Sequence, residues 1–411
     1  MDKVDNIIKR MGQLESMRGP WEQLWQDCTD FVNPRRGDFS IARSKGDRTR
    51  YDKVFDSTAP LANEQLASGL HGFLTSSAEN WFSLNIPQEN DILSQSVRNW
   101  LQGTTETLFD DVFHTPEANF TTAVHELYLD LGSYGTAVMY VEDRPGKSIN
   151  FRTFHLAECF IAENSEGTVD TLYRKYKHTA RQLVQMYADK LPQKFIDTSY
   201  KQPHQEFTCI HAVEPRDSYG PGAKMATDMP FSSCLPDIRM VNEMTKTVIR
   251  AAQKATDPPL LVPDDGFMMP LRTIPGGLNY YRSGTTDKIE PLTSNVRPDI
   301  GLDFIETRRE HILKTFHVDW LQMKQDGPQM TATEVLQRQE EKMRLLGPMV
   351  GRLQTEFLGP LIDRVFAIMT RRNAIEEPPQ EIEGETLKVV YVSPVARAQK
   401  SQQIFNFSRF L

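Results

Sequence analysis

Apolar positions near the N-terminus recur at the three- and four-residue spacing of amphipathic helices. Residues 3–33 have this pattern, and Gly19-Pro20 is expected to divide them into two helices, because proline disrupts a helix interior. Another helix is predicted over about 56–77. The apolar residues expected to form its buried stripe are Leu61, Leu66, Leu70, Phe73 and Leu74.

The hydrophobic pattern changes period after two more helices, predicted near 90–113 and 117–132. From about residue 136 apolar and polar residues alternate, which is typical of half-buried strands. The predicted strands are 136–142, 150–154, 158–163, 169–177 and 206–213, with a helix at 179–189 and a linker at 214–233.

Long helices dominate the pattern of the second half. Helices at 235–255 and 299–316 enclose a segment rich in proline and glycine, and a loop at 317–330 follows. A helix predicted over 331–372 would be about 60 Å long at a rise of 1.5 Å per residue. Kinks are expected where proline removes a backbone donor, at Gly347-Pro348 and Gly359-Pro360. A short strand is predicted at 386–392, and the fold class is α+β, mainly helical.

Composition and charge narrow the classes of protein. The 411 residues contain 47 Lys and Arg against 55 Asp and Glu, a formal net charge of −8. Domains that coat nucleic acid are usually basic, so this balance argues against such a protein. The four cysteines are scattered, which favours a reducing compartment over a disulfide framework. Neither a signal peptide nor a membrane-spanning apolar run is found, so no membrane association is expected.

Motifs of known catalytic sites are missing. The sequence has no G-x-x-x-x-G-K-[ST] phosphate loop, no G-x-G-x-x-G, no H-E-x-x-H and no G-x-S-x-G. We therefore predict a protein that is not an enzyme, with no cofactor and no metal. The remaining enzymatic alternative is a Mg²⁺-dependent nuclease using Asp110-Asp111 or Asp264-Asp265. Adjacent acids on a helix diverge by about 100°, and the second pair fits a turn better than a metal site.

Several short stretches, none diagnostic alone, occur together in a specific order. They are DSTAPLANEQLASGLH at 56–71, LPDI at 235–238, DPPLLVP at 257–263, PGG at 275–277, PQMTATE at 328–334, LLGP at 345–348 and EFLGPL at 356–361. In this order the chain resembles the portal proteins, or head-to-tail connectors, of short-tailed bacteriophages. The stretch 214–233 is short for that family, and portals continue into a helical crown that this chain only begins.

The resemblance implies a portal fold assembled as a ring. Its expected parts are an α/β wing over 1–233, stem helices over 234–256 and 299–316, a small β clip over 257–298, a tunnel loop over 317–330, a long kinked wing helix over 331–376, and a strand with the start of the crown over 377–411.

The resemblance also implies a function. Such rings, commonly of twelve subunits, form a channel at one capsid vertex through which the genome is packaged and later ejected. Expected partners are further copies of this chain, the major capsid protein, the terminase large subunit during packaging, the tail adaptor afterwards, and double-stranded DNA in the channel. The expected location is the portal vertex of the virion, after synthesis in the host cytoplasm. The alternative is a virion adaptor or scaffold without a channel, which leaves the long kinked helix unexplained.

Basic residues that could meet DNA occur in two places. Arg239, Lys246, Arg250 and Lys254 are 7, 4 and 4 residues apart, so they form one stripe on the first stem helix. The stripe either faces the channel or a neighbouring subunit's acids, or is the solvated face of an amphipathic helix. The basic segment 34–50 is likewise either a solvated loop or a contact with DNA or an acidic neighbour.

Two further groups follow from the resemblance. In the expected tunnel loop, Lys324 is the best-placed basic residue, with Gln322 and Gln325 as neutral donors. The expected clip contributes residue types enriched at interface cores, and these either bind partner proteins or pack within the ring. They are Arg272, Tyr280, Tyr281 and Arg282.

Overall fold

The computed structural model shows an α+β fold that is mainly helical, which confirms the predicted class. It describes residues 2–39, 53–86, 94–164, 167, 169–215, 234–256, 260–261, 290–291, 298–318, 347–382 and 387–392. The helices are α1 Asp2–Phe31, α2 Thr58–Leu74, α3 Gln95–Leu108, α4 Phe120–Tyr134, α5 Ala180–Tyr187, α6 Gln193–Lys201, α7 Leu235–Thr256, α8 Pro298–Thr315 and α9 Gly359–Arg371. The strands are β1 Phe82–Asn85, β2 Val138–Glu142, β3 Asn150–Phe154, β4 Cys159–Glu163, β5 Val169–Thr179, β6 Glu206–Val213, β7 Leu260–Leu261, β8 Glu290–Pro291 and β9 Lys388–Tyr391.

The first helix is continuous, so the predicted break at Gly19-Pro20 is wrong. Apolar residues are buried on both sides of that dipeptide, Leu14 before it and Trp25 after it. Arg18, only 4% exposed, donates to the carbonyls of Ala157 at 2.8 Å and Cys159 at 3.0 Å. This packing against the start of β4 stabilises the helix enough to outweigh the donor that Pro20 lacks.

Helices α2 and α4 cross closely through a glycine. Asn63 on α2 donates to Ser133 Oγ at 3.0 Å, and a Cβ added at Gly132 would lie 2.1 Å from Asn63 Oδ1. A larger residue at 132 would therefore force the helices apart. The predicted stripe of α2 is buried at Leu66, Leu70 and Leu74, but Leu61 is 58% exposed, so that part of the prediction is wrong.

An aromatic cluster fills the centre of the α/β region. Its rings come from β1 and the residue before it, the π-helical turn Phe109–Phe113 that follows α3, the start of α4, and β3. Phe113 lies at its centre, with ring centroids 4.7 Å from Phe120, 5.4 Å from Trp81 and 5.7 Å from both Phe82 and Phe151. Three of these pairs are edge-on and the pair with Phe151 is stacked, and both are arrangements that aromatic pairs prefer.

The strands form small antiparallel sheets. β2 pairs with β3, and β4, β5 and β6 form a three-stranded sheet in that order. β1 pairs with β9, so that Phe82 is opposite Tyr391 and Asn85 is opposite Lys388. The C-terminal part of the described chain thereby completes a sheet begun near the N-terminus. Two elements, β1 and α6, were not predicted from the sequence.

The last long helix departs from α-helical geometry at one predicted point. A π-helical turn, Gln354–Leu358, precedes α9, and the Gly359 amide donates to the Gln354 carbonyl five residues earlier. Such a turn accommodates Pro360, which has no amide hydrogen and whose ring crowds the preceding turn. The Tyr391 hydroxyl donates to the same carbonyl at 3.0 Å. Gly347 and Pro348 are the first described residues of this segment.

Candidate interface on the paired helices

Helices α7 and α8 pack against each other and against the α/β region. One face of α7 is buried through Ile238, Val241 and Asn242, which follow helical spacing. α8 is buried through Ile305 and Ile312. Both helices were predicted within one residue of their observed ends, because their hydrophobic periodicity is regular.

A short segment, residues 53–56, is held by a buried amide of α7. The Asn242 side chain is 4% exposed, accepts from the Phe55 amide at 2.7 Å and donates to the Lys53 carbonyl at 2.9 Å. One side chain therefore satisfies a backbone donor and a backbone acceptor, as a neighbouring strand would. Sequence reasoning missed Asn242, although an amide inside the apolar stripe of a helix is a signal for such a role.

Two arginines of α8 complete this contact. Arg309 donates to Asp56 Oδ2 through Nε at 3.0 Å and Nη2 at 2.7 Å. Arg308 donates to Asp237 on α7 at 2.8 Å. Burial opposes ionisation of Asp56, but hydrogen bonds from Thr58 and Arg309 outweigh it and lower the pKa of Asp56. We call Asn242, Arg309, Asp56 and the backbone of 53–56 the helix-pair joint.

The predicted basic stripe lies on α7, away from the apolar face. Arg239 forms an ion pair with Asp27 of α1. The Lys246 ammonium lies 5.5 Å from the Phe55 ring centroid and 3.1 Å from Glu243. Arg250 is exposed, and the side chain of Lys254 falls outside the described residues. Arg239 and Lys246 thus contact other residues of this chain, and Arg250 faces solvent.

In the basic segment predicted over 34–50, Arg36 is bound to a buried acid. Arg36 binds Asp130 through two parallel hydrogen bonds of 2.7 Å, and the Asp130 carboxylate is fully buried. Burial raises the pKa of Asp130 to about 6, against the lowering effect of Arg36. Arg36 is therefore neutralised within the protein, whereas Arg35 is 78% exposed beside Glu64. Residues 40–50 lie outside the described part of the chain.

The remaining predicted site residues belong to segments that the structure does not describe. They are Lys324, Gln322 and Gln325 of the expected tunnel loop, and Arg272, Tyr280, Tyr281 and Arg282 of the expected clip. Of the clip, the antiparallel pair formed by β7 and β8 is described.

The described residues contain no cluster of side chains arranged as a known catalytic site. Asp110 and Asp111 are both exposed in a π-helical turn, and Asp264 and Asp265 are not described. Among the described residues no three His, Cys, Asp or Glu side chains cluster closely enough to hold a metal ion. Burial raises the pKa of Cys28 and of Cys159 to about 12, which keeps both thiols protonated. No helix of the described chain is long and apolar enough to cross a bilayer.

Comparison with known proteins gives one family match and two named relatives. The chain matches the family described as bacteriophage head to tail connecting protein over residues 4–235 and 232–411. A probable portal protein of Bordetella phage BPP-1 is 28% identical over an alignment 458 positions long, which covers 98% of this chain and 81% of the relative. The portal protein of Salmonella phage epsilon15 is 28% identical over an alignment 462 positions long, with the same two coverages.

Proposed function

Because the chain belongs to the bacteriophage head-to-tail connecting protein family, we propose that it is the portal of a tailed phage. Copies of the chain assemble as a ring at one capsid vertex. DNA enters the capsid through the ring during packaging and leaves through it during ejection. The observation that carries the proposal is that two relatives named as portal proteins align with 98% of this chain.

The parts of the chain take the following roles in this proposal. Residues 1–233 form the wing, to which the segment after 331 returns. α7 and α8 form the stem, and 257–298 between them form the clip. Two features support the assignment: α7 and α8 pack side by side, and β9 joins the wing through β1.

The channel must guide DNA without gripping it. Each phosphate that a protein neutralises strengthens binding in a salt-dependent way, so a wall of lysines would slow translocation. A chain with a formal net charge of −8 suits weak adhesion. We assign the few DNA contacts to the loop 317–330, with Lys324 as the basic residue and Gln322 and Gln325 as neutral donors.

Different parts of the ring contact different partner proteins. The clip, through Arg272, Tyr280, Tyr281 and Arg282, binds first the terminase and then the tail adaptor. The major capsid protein surrounds the wing. The chain acts as a structural conduit, and the packaging motor is a separate protein. The ring is a dodecamer of the kind common in the family.

The test is the mass and symmetry of the purified protein, measured by native mass spectrometry and by class averages from electron microscopy. Twelve copies of the 47.1 kDa chain would weigh about 565 kDa and show a central hole. A compact monomer or dimer without a hole would contradict the proposal and favour the scaffold alternative.

The assignment of DNA contacts has its own test. Lys324→Ala is expected to change the salt dependence of DNA packaging, because one basic residue per subunit is lost from the channel. Lys190→Ala is the matched control, since Lys190 is an exposed lysine of the α/β region. Equal packaging by both variants at every salt concentration would contradict the role of Lys324.

A further inference from the structure

The last strand of the three-stranded sheet has a free edge. In the order β4, β5, β6, the strand β6 pairs with β5 on one side, from Glu206 opposite Thr179 to Val213 opposite Leu172. Within the part of the chain that the structure describes, no strand pairs with its other side. The eight residues of β6 span about 26 Å at 3.3 Å per residue, so a row of backbone donors and acceptors of that length is available to a further strand.

The opposite edge of the same sheet is protected, whereas the edge of β6 is not. Strand β4 is almost completely buried, and Arg18 of α1 donates to the Cys159 carbonyl at its start. Proteins usually block exposed strand edges with Lys, Pro, a bulge or a covering helix. Between Phe207 and Val213 the strand β6 contains neither Lys nor Pro, and its pairing with β5 runs without a register shift. This edge therefore keeps a form that accepts another strand.

Side chains alternate along β6 between a packed face and an exposed face. Phe207 lies 5.1 Å from Phe195 of α6, and His211 lies 5.7 Å from Tyr140 of β2, measured between ring centroids. Ile210 points to the other side and is 38% exposed. Because the packed face holds β6 in place, a strand added at its edge would meet a fixed template with an apolar residue near the centre.

The exposed face around Ile210 carries two lysines of β5. Lys175 is directly opposite Ile210, and Lys177 follows it two residues along β5, so both side chains share this face. Lys175 pairs with Glu15 of α1 at 3.1 Å, whereas Lys177 is 69% exposed and its pair with Glu206 is 3.5 Å long. Exposed pairs of this kind contribute little, so Lys177 still attracts a further carboxylate.

Two further bases, Arg181 and Lys201, lie at the Glu206 end of β6. The Arg181 amide donates to the Pro203 carbonyl at 3.2 Å, which places the start of α5 beside the turn that enters β6, and Lys201 is the last residue of α6. Both side chains are exposed, and neither forms an ion pair within the described ranges. Residues 174–213 contain seven Lys and Arg against three Asp and Glu, a net charge of +4 in a chain whose formal net charge is −8. The surface beside the free edge is therefore complementary to acidic side chains.

We infer that the free edge of β6 binds an acidic, extended segment of a partner protein, which joins the sheet as a fourth strand. In this mode of binding, backbone hydrogen bonds supply the affinity and alternate side chains supply the specificity. On one face of the segment, acidic residues meet the bases and an apolar residue packs beside Ile210. The inference goes beyond the proposed function and does not depend on ring formation.

Binding of a labelled synthetic peptide to the purified full chain, measured by fluorescence polarisation, tests the inference. The probe is a peptide about as long as β6, with threonine at every second position, valine at the centre and glutamate elsewhere. We expect it to bind about tenfold more tightly than the same peptide with lysine in place of glutamate. Methylation of alternate backbone nitrogens should abolish binding for one set of amides and not for the other, because only one set faces β6.

Two changes in the chain should weaken binding of the probe. Ile210→Glu removes the central apolar contact and repels the glutamates, with an expected loss of about tenfold, and Lys201→Glu reverses one charge, with an expected loss of about threefold. The matched controls are Leu61→Glu on α2 and Lys9→Glu on α1, two exposed positions that should bind the probe normally. Each variant should melt at the wild-type temperature, so that a loss of binding reports on the edge and not on folding.

Hydrogen exchange separates the possible occupants of the edge. Slower exchange of the outward-facing β6 amides on addition of the probe supports the inference. Protection of those amides in the wild-type protein before any probe is added would assign the edge to a neighbouring copy and overturn it. Equal binding of the acidic and basic peptides, or displacement of the probe by duplex DNA, would overturn it as well. A chain that stays monomeric but binds the probe contradicts the proposed ring alone.

Discussion

The α/β region and the helix pair are stabilised in different ways. In the α/β region, aromatic rings from four elements interlock around Phe113, and α2 and α4 approach closely at Gly132. The helix pair is fixed at one end by the helix-pair joint, through an amide and an arginine. Beyond the joint, aliphatic side chains such as Leu302 are exposed.

The two regions therefore differ in how much they depend on a partner to cover their apolar surface. A closed aromatic core buries its own surface and is stable within one subunit. A helix layer with exposed aliphatic residues has surface left for another molecule. We therefore expect changes in the core to alter the stability of the single chain, and changes on the pair to alter assembly.

The largest effect is expected at Phe113. Phe113→Ala removes the central ring of the aromatic cluster and leaves a cavity, which costs about 3–5 kcal/mol of stability. Thermal unfolding followed by circular dichroism would measure the loss. Tyr200→Ala is the control, because Tyr200 is 78% exposed and its removal leaves no cavity. Similar melting of the two variants would contradict the central role of the cluster.

Two buried acids are expected to respond to pH in opposite directions. Burial raises the pKa of Asp130 from 3.8 to about 6, so its contribution to stability is full below pH 4 and is lost as the pH rises through 6. That loss is about 3 kcal/mol. The pKa of Asp56 is lowered, so its contribution is present above pH 4 and is lost as the pH falls.

Melting temperatures between pH 3 and pH 7 would test both acids. The difference between the wild type and Asp130→Asn should shrink as the pH rises from 4 to 6. The difference between the wild type and Asp56→Asn should shrink as the pH falls below 4. Parallel curves for the wild type and either variant would show that the acid in question is not perturbed.

A smaller effect is expected at the helix-pair joint. Asn242→Ala leaves the Phe55 amide and the Lys53 carbonyl without their partner, at a cost of about 1–3 kcal/mol. Hydrogen exchange should speed up at residues 53–56 and in α7 while the aromatic cluster stays protected. Glu243→Ala, one residue away and exposed, is the control. Faster exchange throughout the α/β region would mean that the two regions are not stabilised separately.

The smallest effect is expected at the partly exposed pair of Arg239 and Asp27. Arg239 is 47% exposed, and exposed ion pairs contribute at most about 1 kcal/mol. Arg239→Ala should therefore lower the melting temperature by no more than a few degrees. A loss as large as that of Asn242→Ala would show that α1 and α7 are coupled more strongly than this pair explains.

Local periodicity made part of the fold predictable. α7, α8, β3 and β6 follow regular patterns, and the structure places them within one residue of the predicted ends. The uninterrupted α1 was not predictable, because contacts of Arg18 with a strand about 140 residues away outweigh the local effect of Pro20. β1 is only four residues long, and its partner strand lies far along the chain, so no short window of sequence indicates it.

The candidate site was predictable in position but not in its contacts. The spacing of the bases on α7 predicted one stripe along the helix. It could not show that Arg239 and Lys246 contact the chain itself, since Asp27 and Phe55 lie about 200 residues earlier.

The pairing of β1 with β9 has a consequence for synthesis of the chain. About 300 residues separate the two strands, so at 5–20 residues per second the ribosome needs about 15–60 s to supply the partner of β1. During that time β9 is missing, so the edge of β1 is unpaired and the neighbouring aromatic residues are not fully buried. We therefore expect the nascent α/β region to be a substrate for chaperones until translation has passed Tyr391.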